Sequence, residues 1–106
     1  MQQPYSIEKI KYLRRYTGLR YRDIGNMVGY SANTMGSMVY QISSGRYDPV
    51  KARRIRLLLT YILNDYIREK YGEDAYKQIL RATDERLETK TGENRQRRAD
   101  DEDKAM

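Results

Sequence analysis

The chain has no cysteine, histidine, tryptophan or phenylalanine among its 106 residues, and only two prolines. Without cysteine there is no disulfide, no thiolate metal ligand and no thiol nucleophile. Without histidine there is no imidazole for a Ser-His triad, for a zinc site or for a base titrating near neutral pH. Carboxylates remain, but Asp23, Asp48, Asp65 and Glu69 show no spacing suited to paired acid–base work, and no Gly-rich phosphate loop occurs. The expectation is a protein that is not an enzyme and needs neither metal nor cofactor. No apolar run approaches the ~18 residues that span a bilayer. The start, Met1-Gln2-Gln3-Pro4-Tyr5, lacks the basic-then-apolar layout of a signal peptide. A soluble, cytoplasmic, non-membrane protein is expected.

Charge is abundant and unevenly placed. The net charge is +6. Met1 to Gly72 carries 13 Lys+Arg against 5 Asp+Glu, +8, whereas Glu73 to Met106 carries 8 against 10, −2. A basic domain of this size points to a polyanion, because each phosphate it neutralises releases counterions; a merely solvated basic surface is the alternative. Glu88 to Met106 contains no Ile, Leu, Val or Tyr. Such a segment cannot bury enough apolar surface to offset its ordering entropy. The organisation expected is one helical domain over residues 1–87 and a disordered charged tail over 88–106.

Periodicity inside the domain is helical, giving an all-α class with five helices and no sheet. Ser6 suits an N-cap, Ile7, Ile10 and Leu13 follow at helical spacing, and Thr17-Gly18 ends the run. A second short helix fits Tyr21 to Val28, closed by Gly29. A third fits Ala32 to Gln41, with Ser31 as its N-cap. After a loop from Ser43 to Tyr47, Asp48-Pro49 is a strong start for a fourth helix: Asp accepts from free N–H groups, and Pro loses no hydrogen bond at the first helical position. That helix runs to about Tyr71, with Gly72 as its stop. Glu73 and Asp74 open a fifth, acidic at its N-terminus as the macrodipole prefers, continuing to about Leu87.

The stretch Tyr21 to Tyr40, YRDIGNMVGYSANTMGSMVY, carries the functional signal. Two short helices separated by Gly29-Tyr30-Ser31 have the layout of a DNA-binding helix-turn-helix. A small residue is needed where the second helix crosses the first, and Gly25 stands there. A glycine is needed to end the first helix in the left-handed conformation, and Gly29 stands there. Ile24, Val28, Tyr30, Met35 and Met38 are spaced to pin the pair from inside. With these residues the chain resembles the phage-repressor (Cro and repressor type) helix-turn-helix family. Ser43-Ser44-Gly45-Arg46 before Asp48-Pro49 is similar to the Gly-basic loop that often follows the recognition helix there, and the likeness in layout runs from Ser6 to Leu63. Three positions depart from the family's habit: Tyr21 and Ala32 stand where Gln is common, and Gly25 where Ala is usual. The target sequence therefore does not transfer.

The resemblance implies double-stranded DNA as partner, with the third helix in the major groove and its N-terminal residues at base edges. With Met35 and Met38 inward, the reading face is Ser31, Ala32, Asn33, Gly36, Ser37 and Tyr40. Asn33 leads, since its amide pairs bidentately with adenine; Ser37 donates or accepts, and Ala32 suits a thymine methyl. Ser31 has N-cap as its simpler role, and Asn33 that of a solvated first-turn residue. Gly36 fits close approach either to a groove wall or to the neighbouring helix. Backbone contacts are expected from Arg20 and Arg22, from Arg46 on the loop, and from Lys51, Arg53 and Arg54. The last three crowd a helix N-terminus against the dipole's preference, which an anionic partner would offset. Arg14 and Arg15, at the end of the first helix, sit favourably without any partner.

The fourth helix has more apolar residues than one stripe requires. The surplus on the fourth and fifth helices points to a homodimer interface at Leu58, Ile62, Tyr66, Tyr76, Ile79 and Leu80; the alternative is a fifth helix that folds back and covers it. The function expected is a sequence-specific transcriptional regulator, a bacterial or phage-type repressor reading a palindromic operator as a homodimer and associated with the nucleoid when bound. The competing reading is a protein-interaction module, an inhibitor that turns the same scaffold against a protein partner.

Overall fold

The computed structural model describes residues 3–88, and all regular structure among them is helical. Four helices span Ile7–Thr17 (α1), Tyr21–Val28 (α2), Thr34–Ser43 (α3) and Pro49–Tyr71 (α4). A fifth, α5, covers residues 73–88. The expected all-α class with a long fourth helix is what the chain adopts. The expected disordered tail, 88–106, starts one residue too early, since Glu88 is still helical; residues 89–106 lie outside the described residues.

The helix ends form for the reasons the residues suggest. The Ser6 hydroxyl accepts from the Lys9 N–H at 3.2 Å, and Gly18 closes α1 at φ 76°. The Asp48 carboxylate accepts from the Lys51 N–H at 2.9 Å, and Pro49 follows as the first helical residue of α4. Gly29, at φ 84°, ends α2 in a conformation that only glycine adopts without strain. The chain then turns sharply enough for the Tyr30 N–H to donate to the Gly25 carbonyl at 2.9 Å.

One helix start differs from the sequence reading. α3 begins at Thr34, with Asn33 in the cap position, rather than at Ala32 capped by Ser31. The Ser31 hydroxyl engages the Thr34 hydroxyl instead of a free backbone N–H, and the Thr34 N–H donates to the Ser31 carbonyl. A preliminary turn over Ser31–Thr34 thus replaces the first turn of the helix. Ser and Thr side chains offer the backbone such local alternatives. At its other end α3 runs through Ser43, so the loop begins at Ser44.

Every helix contributes to one core: Ile10 and Leu13 from α1, Ile24 from α2, Met35 and Val39 from α3, Ile55, Leu59, Leu63 and Ile67 from α4, and Tyr76 from α5, with Leu19 from the α1–α2 turn. Fully burying each large aliphatic side chain is worth roughly 1.5–3 kcal/mol. Met38 lies at the edge of this core, half-buried rather than fully inward.

The junction between the chain before α1 and the middle of α4 is closed by polar groups. The chain before α1 lies along α4, where the Tyr5 N–H donates to Thr60 Oγ1 at 2.9 Å. The Tyr5 hydroxyl donates to Asn64 Oδ1 at 2.7 Å, and Arg56 donates to the Tyr5 carbonyl at 3.3 Å. Thr60 and Asn64 are each 3 % exposed, so both depend on these partners. Burial pushes the Tyr5 phenol well above the usual tyrosine range; the adjacent Tyr76 adds to this, and the bond to Asn64 opposes it.

α5 folds back over α1. Lys9 Nζ lies 2.6 Å from the Asp84 carboxylate, the Arg86 guanidinium sits over the Tyr12 ring, and Thr83 is buried. This arrangement corrects the interface expected from sequence. Tyr76 is 5 % exposed in the chain's own core, beneath the Arg68 guanidinium at 4.2 Å, and is not offered to a partner. Leu58, Ile62, Tyr66, Ile79 and Leu80 are half-buried and pack against the same core. Much of the apolar surplus is covered within one chain, the alternative that the sequence left open.

Candidate nucleic-acid interface

α2 and α3 pack against each other through small atoms. Gly25 is buried, and a methyl group built on it would lie 3.4 Å from the Ser31 carbonyl oxygen and 3.6 Å from the Cβ atoms of Met35 and Tyr30. These are contact distances without overlap, so the crossing accepts Ala. Ile24 and Met35, both fully buried, hold the pair from inside.

The opposite side of α3 faces solvent. Ser31, Ala32 and Asn33 in the preliminary turn, and Ser37 and Tyr40 in the helix, are all exposed. Tyr40 is 66 % exposed, unusual for so large an aromatic side chain. Gly36 departs from this group. It is half-buried, and its missing side chain would point toward Tyr21, 3.8 Å away. Of the two explanations for Gly36, the structure shows the neighbouring helix.

Tyr21 is itself braced. Arg14, at the end of α1, places its guanidinium 4.6 Å from the Tyr21 ring centroid and donates to the Leu19 carbonyl at 3.1 Å. Sequence reasoning assigned Arg14 only a favourable place at a helix C-terminus. Its bracing of α1, α2 and α3 depends on the tertiary approach of Tyr21, which no local spacing encodes.

Cations lie on the segments that flank α3 in the chain. Arg22, Arg46, Lys51, Arg53 and Arg54 are all exposed. Among the described residues, no carboxylate lies within ion-pair distance of any of the five. Arg20 is different: Asp23 pairs with its guanidinium at 3.2 Å and also accepts its backbone N–H at 3.1 Å. These two bonds, the side-chain one first, hold the Asp23 carboxyl below its usual range. Arg20 thus enters the candidate set half neutralised.

The loop after α3 fixes Arg46. The Ser44 hydroxyl donates to the Tyr40 carbonyl at 3.0 Å, and the Arg46 N–H donates to the Gln41 carbonyl at 2.9 Å. Gly45, at φ 71°, provides the reversal. The backbone at Arg46 is therefore tied to the C-terminal end of α3. α4 then starts with Lys51, Arg53 and Arg54, and its first turn holds no acidic residue. α3 thus shows an exposed polar face with an aromatic end, and the segments before and after it carry guanidinium and ammonium groups without ion-pair partners among the described residues. Such a surface can hydrogen-bond to base edges and neutralise phosphates.

Elsewhere, Tyr12, Tyr16, Tyr71, Ala75, Gln78, Ile79, Ala82 and Thr83 line a shallow groove of about 330 Å³ between α1 and α5. No cluster of metal-ligating side chains occurs among the described residues, and no described helix is long and apolar enough to cross a membrane. No family model matches this chain, and no curated protein or solved structure matches it either.

Proposed function

We propose that this chain is a sequence-specific DNA-binding regulator, acting as a repressor on a palindromic operator and binding it as a homodimer. The α2–α3 pair is the helix-turn-helix of this reading. Asn33, Ser37, Ala32 and Tyr40 meet the major groove, Ser31 sits at its edge, and Gly36 lets α3 lie close on Tyr21. Arg22, Arg46, Lys51 and Arg53 hold the phosphates. The supporting observation is twofold: the solvent face of α3 is polar, and the exposed cations on the segments that precede and follow α3 in the chain have no carboxylate partner among the described residues. Unpaired like charges at one helix start repel each other and oppose the helix dipole, and an anionic partner relieves both effects.

Selection of bound duplexes from random-sequence DNA tests the reading. An enriched palindromic motif is expected, with affinity that falls steeply as salt rises. Binding without any enriched motif would reduce the reading to nonspecific coating. No DNA binding at low salt, together with capture of a protein by the same face, would replace it with the interaction-module reading.

A further inference from the structure

α4 keeps one uncovered apolar strip. Arg54, Leu58, Tyr61 and Asp65 recur at helical spacing along one side, flanked by Leu57 and Ile62. Tyr61 is 70 % exposed, and Val50, one turn before Arg54, is 62 % exposed. Leu57, Leu58 and Ile62 are half-buried, so each keeps apolar surface in water. The strip ends in opposite charges: Arg54 toward the start of the helix, Asp65 three turns later. Both are exposed, and neither has an ion-pair or hydrogen-bond partner among the described residues.

A strip with a cation at one end and an anion at the other is complementary to itself when turned around. Two-fold symmetry requires that whatever residue i touches on the second copy, the second copy's residue i is touched in return. We propose that α4 packs antiparallel against α4 of a second copy of this chain, with Arg54 facing Asp65 of the second copy on both sides. In that register Leu57 lies opposite Ile62 of the second copy, and Leu58 opposite Tyr61, so the middle of the contact is apolar. A parallel pairing would set Arg54 against Arg54 and Asp65 against Asp65, which like-charge repulsion disfavours.

The proposal rests on the dimeric part of the reading above and is independent of DNA binding. It moves the interface away from Tyr66, Tyr76, Ile79 and Leu80 and keeps Leu58 and Ile62 from the sequence expectation. It also assigns Arg54 to a carboxylate instead of a phosphate.

Sedimentation equilibrium of the full chain without DNA tests it, with circular dichroism melts checking that each variant folds. Wild-type protein is expected to dimerise at tens of micromolar. R54D and D65R are each expected to weaken the dimer about tenfold or more, because symmetry counts each substitution twice. The double variant R54D/D65R restores opposite charges in the same register and is expected to recover most of the loss. Tyr61→Glu, which places a charge in the apolar middle, is expected to give monomers. A wild-type monomer at about 500 µM, roughly tenfold above the concentration at which dimers are expected, would overturn the proposal. So would a dimer indifferent to these substitutions, or a double variant no better than either single one. All of these outcomes leave the DNA reading to be judged separately by duplex selection.

Discussion

Two regions of this molecule treat polar groups in opposite ways. Around Tyr5, buried polar atoms are matched one to one: Thr60 accepts an N–H, Asn64 accepts a hydroxyl, and the Tyr5 carbonyl receives a guanidinium. On α3 and the segments beside it, five exposed cations have no ion-pair partner among the described residues, and the preliminary turn before Thr34 leaves Asn33 with no side-chain cap bond. A surface is stable without such matches only while water supplies them, and it is free to exchange that water for a ligand. The first region therefore holds the fold, and the second is available for recognition. Substitutions should separate the two: changes near α4 and Tyr5 should alter stability, and changes on the α3 face should alter binding alone.

The largest effect is expected in the core that both regions share. Leu63 is fully buried, and Leu63→Ala should lower unfolding stability by about 2–5 kcal/mol, measured by chemical denaturation. A loss below about 1 kcal/mol would mean that α4 is not the central packing element.

Next comes the Tyr5 network. Tyr5→Phe leaves the buried Asn64 oxygen without its donor and should cost about 1–3 kcal/mol at neutral pH. The same group sets a pH dependence. The folded Tyr5 resists ionisation, whereas in the unfolded chain it ionises near pH 10. Its contribution is therefore complete below about pH 10 and is lost as pH rises from there toward the folded value. Wild-type stability should fall above pH 10, and Tyr5→Phe should flatten that fall. An unchanged alkaline slope in the variant would remove Tyr5 from the account.

The smallest effects come from two glycines of the α2–α3 turn and should have opposite signs. Gly25→Ala should stabilise by about 0.5–1 kcal/mol, because a methyl group fits at contact distance and the helix interior gains from losing glycine. Gly29→Ala should destabilise by about 1–2 kcal/mol, because its φ of 84° strains any L side chain. Thermal melts of the two variants would show it, and equal signs would mean that the turn geometry is wrong.

Much of this was legible in the sequence where the physics is local. Asp48-Pro49, Ser6, Gly18 and Gly29 act through their own backbone, and each marks a helix boundary that the fold respects. The start of α3 was misread because Ser31 and Thr34 engage each other rather than the free N–H groups, a competition that composition does not resolve. The fate of Tyr76 was misread for a different reason. A helical stripe of apolar residues looks the same whether a second chain or its own chain covers it, and only the return of α5 onto α1 decides. The role of Arg14 likewise depends on where Tyr21 arrives after folding, whereas the pairing of Arg20 with Asp23 is local, three residues apart at the start of α2. The exposed face of α3 was readable apart from Gly36, whose orientation follows from the crossing with Tyr21.

The most direct test of the central claim compares two substitutions on one selected duplex and on a scrambled one, across a range of salt. Asn33→Ala should lose about 1–3 kcal/mol on the selected sequence and little on the scrambled one, with the salt slope unchanged. Arg22→Ala should weaken both duplexes alike and flatten the salt slope by about one unit. Both proteins should melt within about 0.5 kcal/mol of wild type, since both side chains are exposed. If the two variants lost affinity identically on both duplexes, α3 would not be the element that reads sequence.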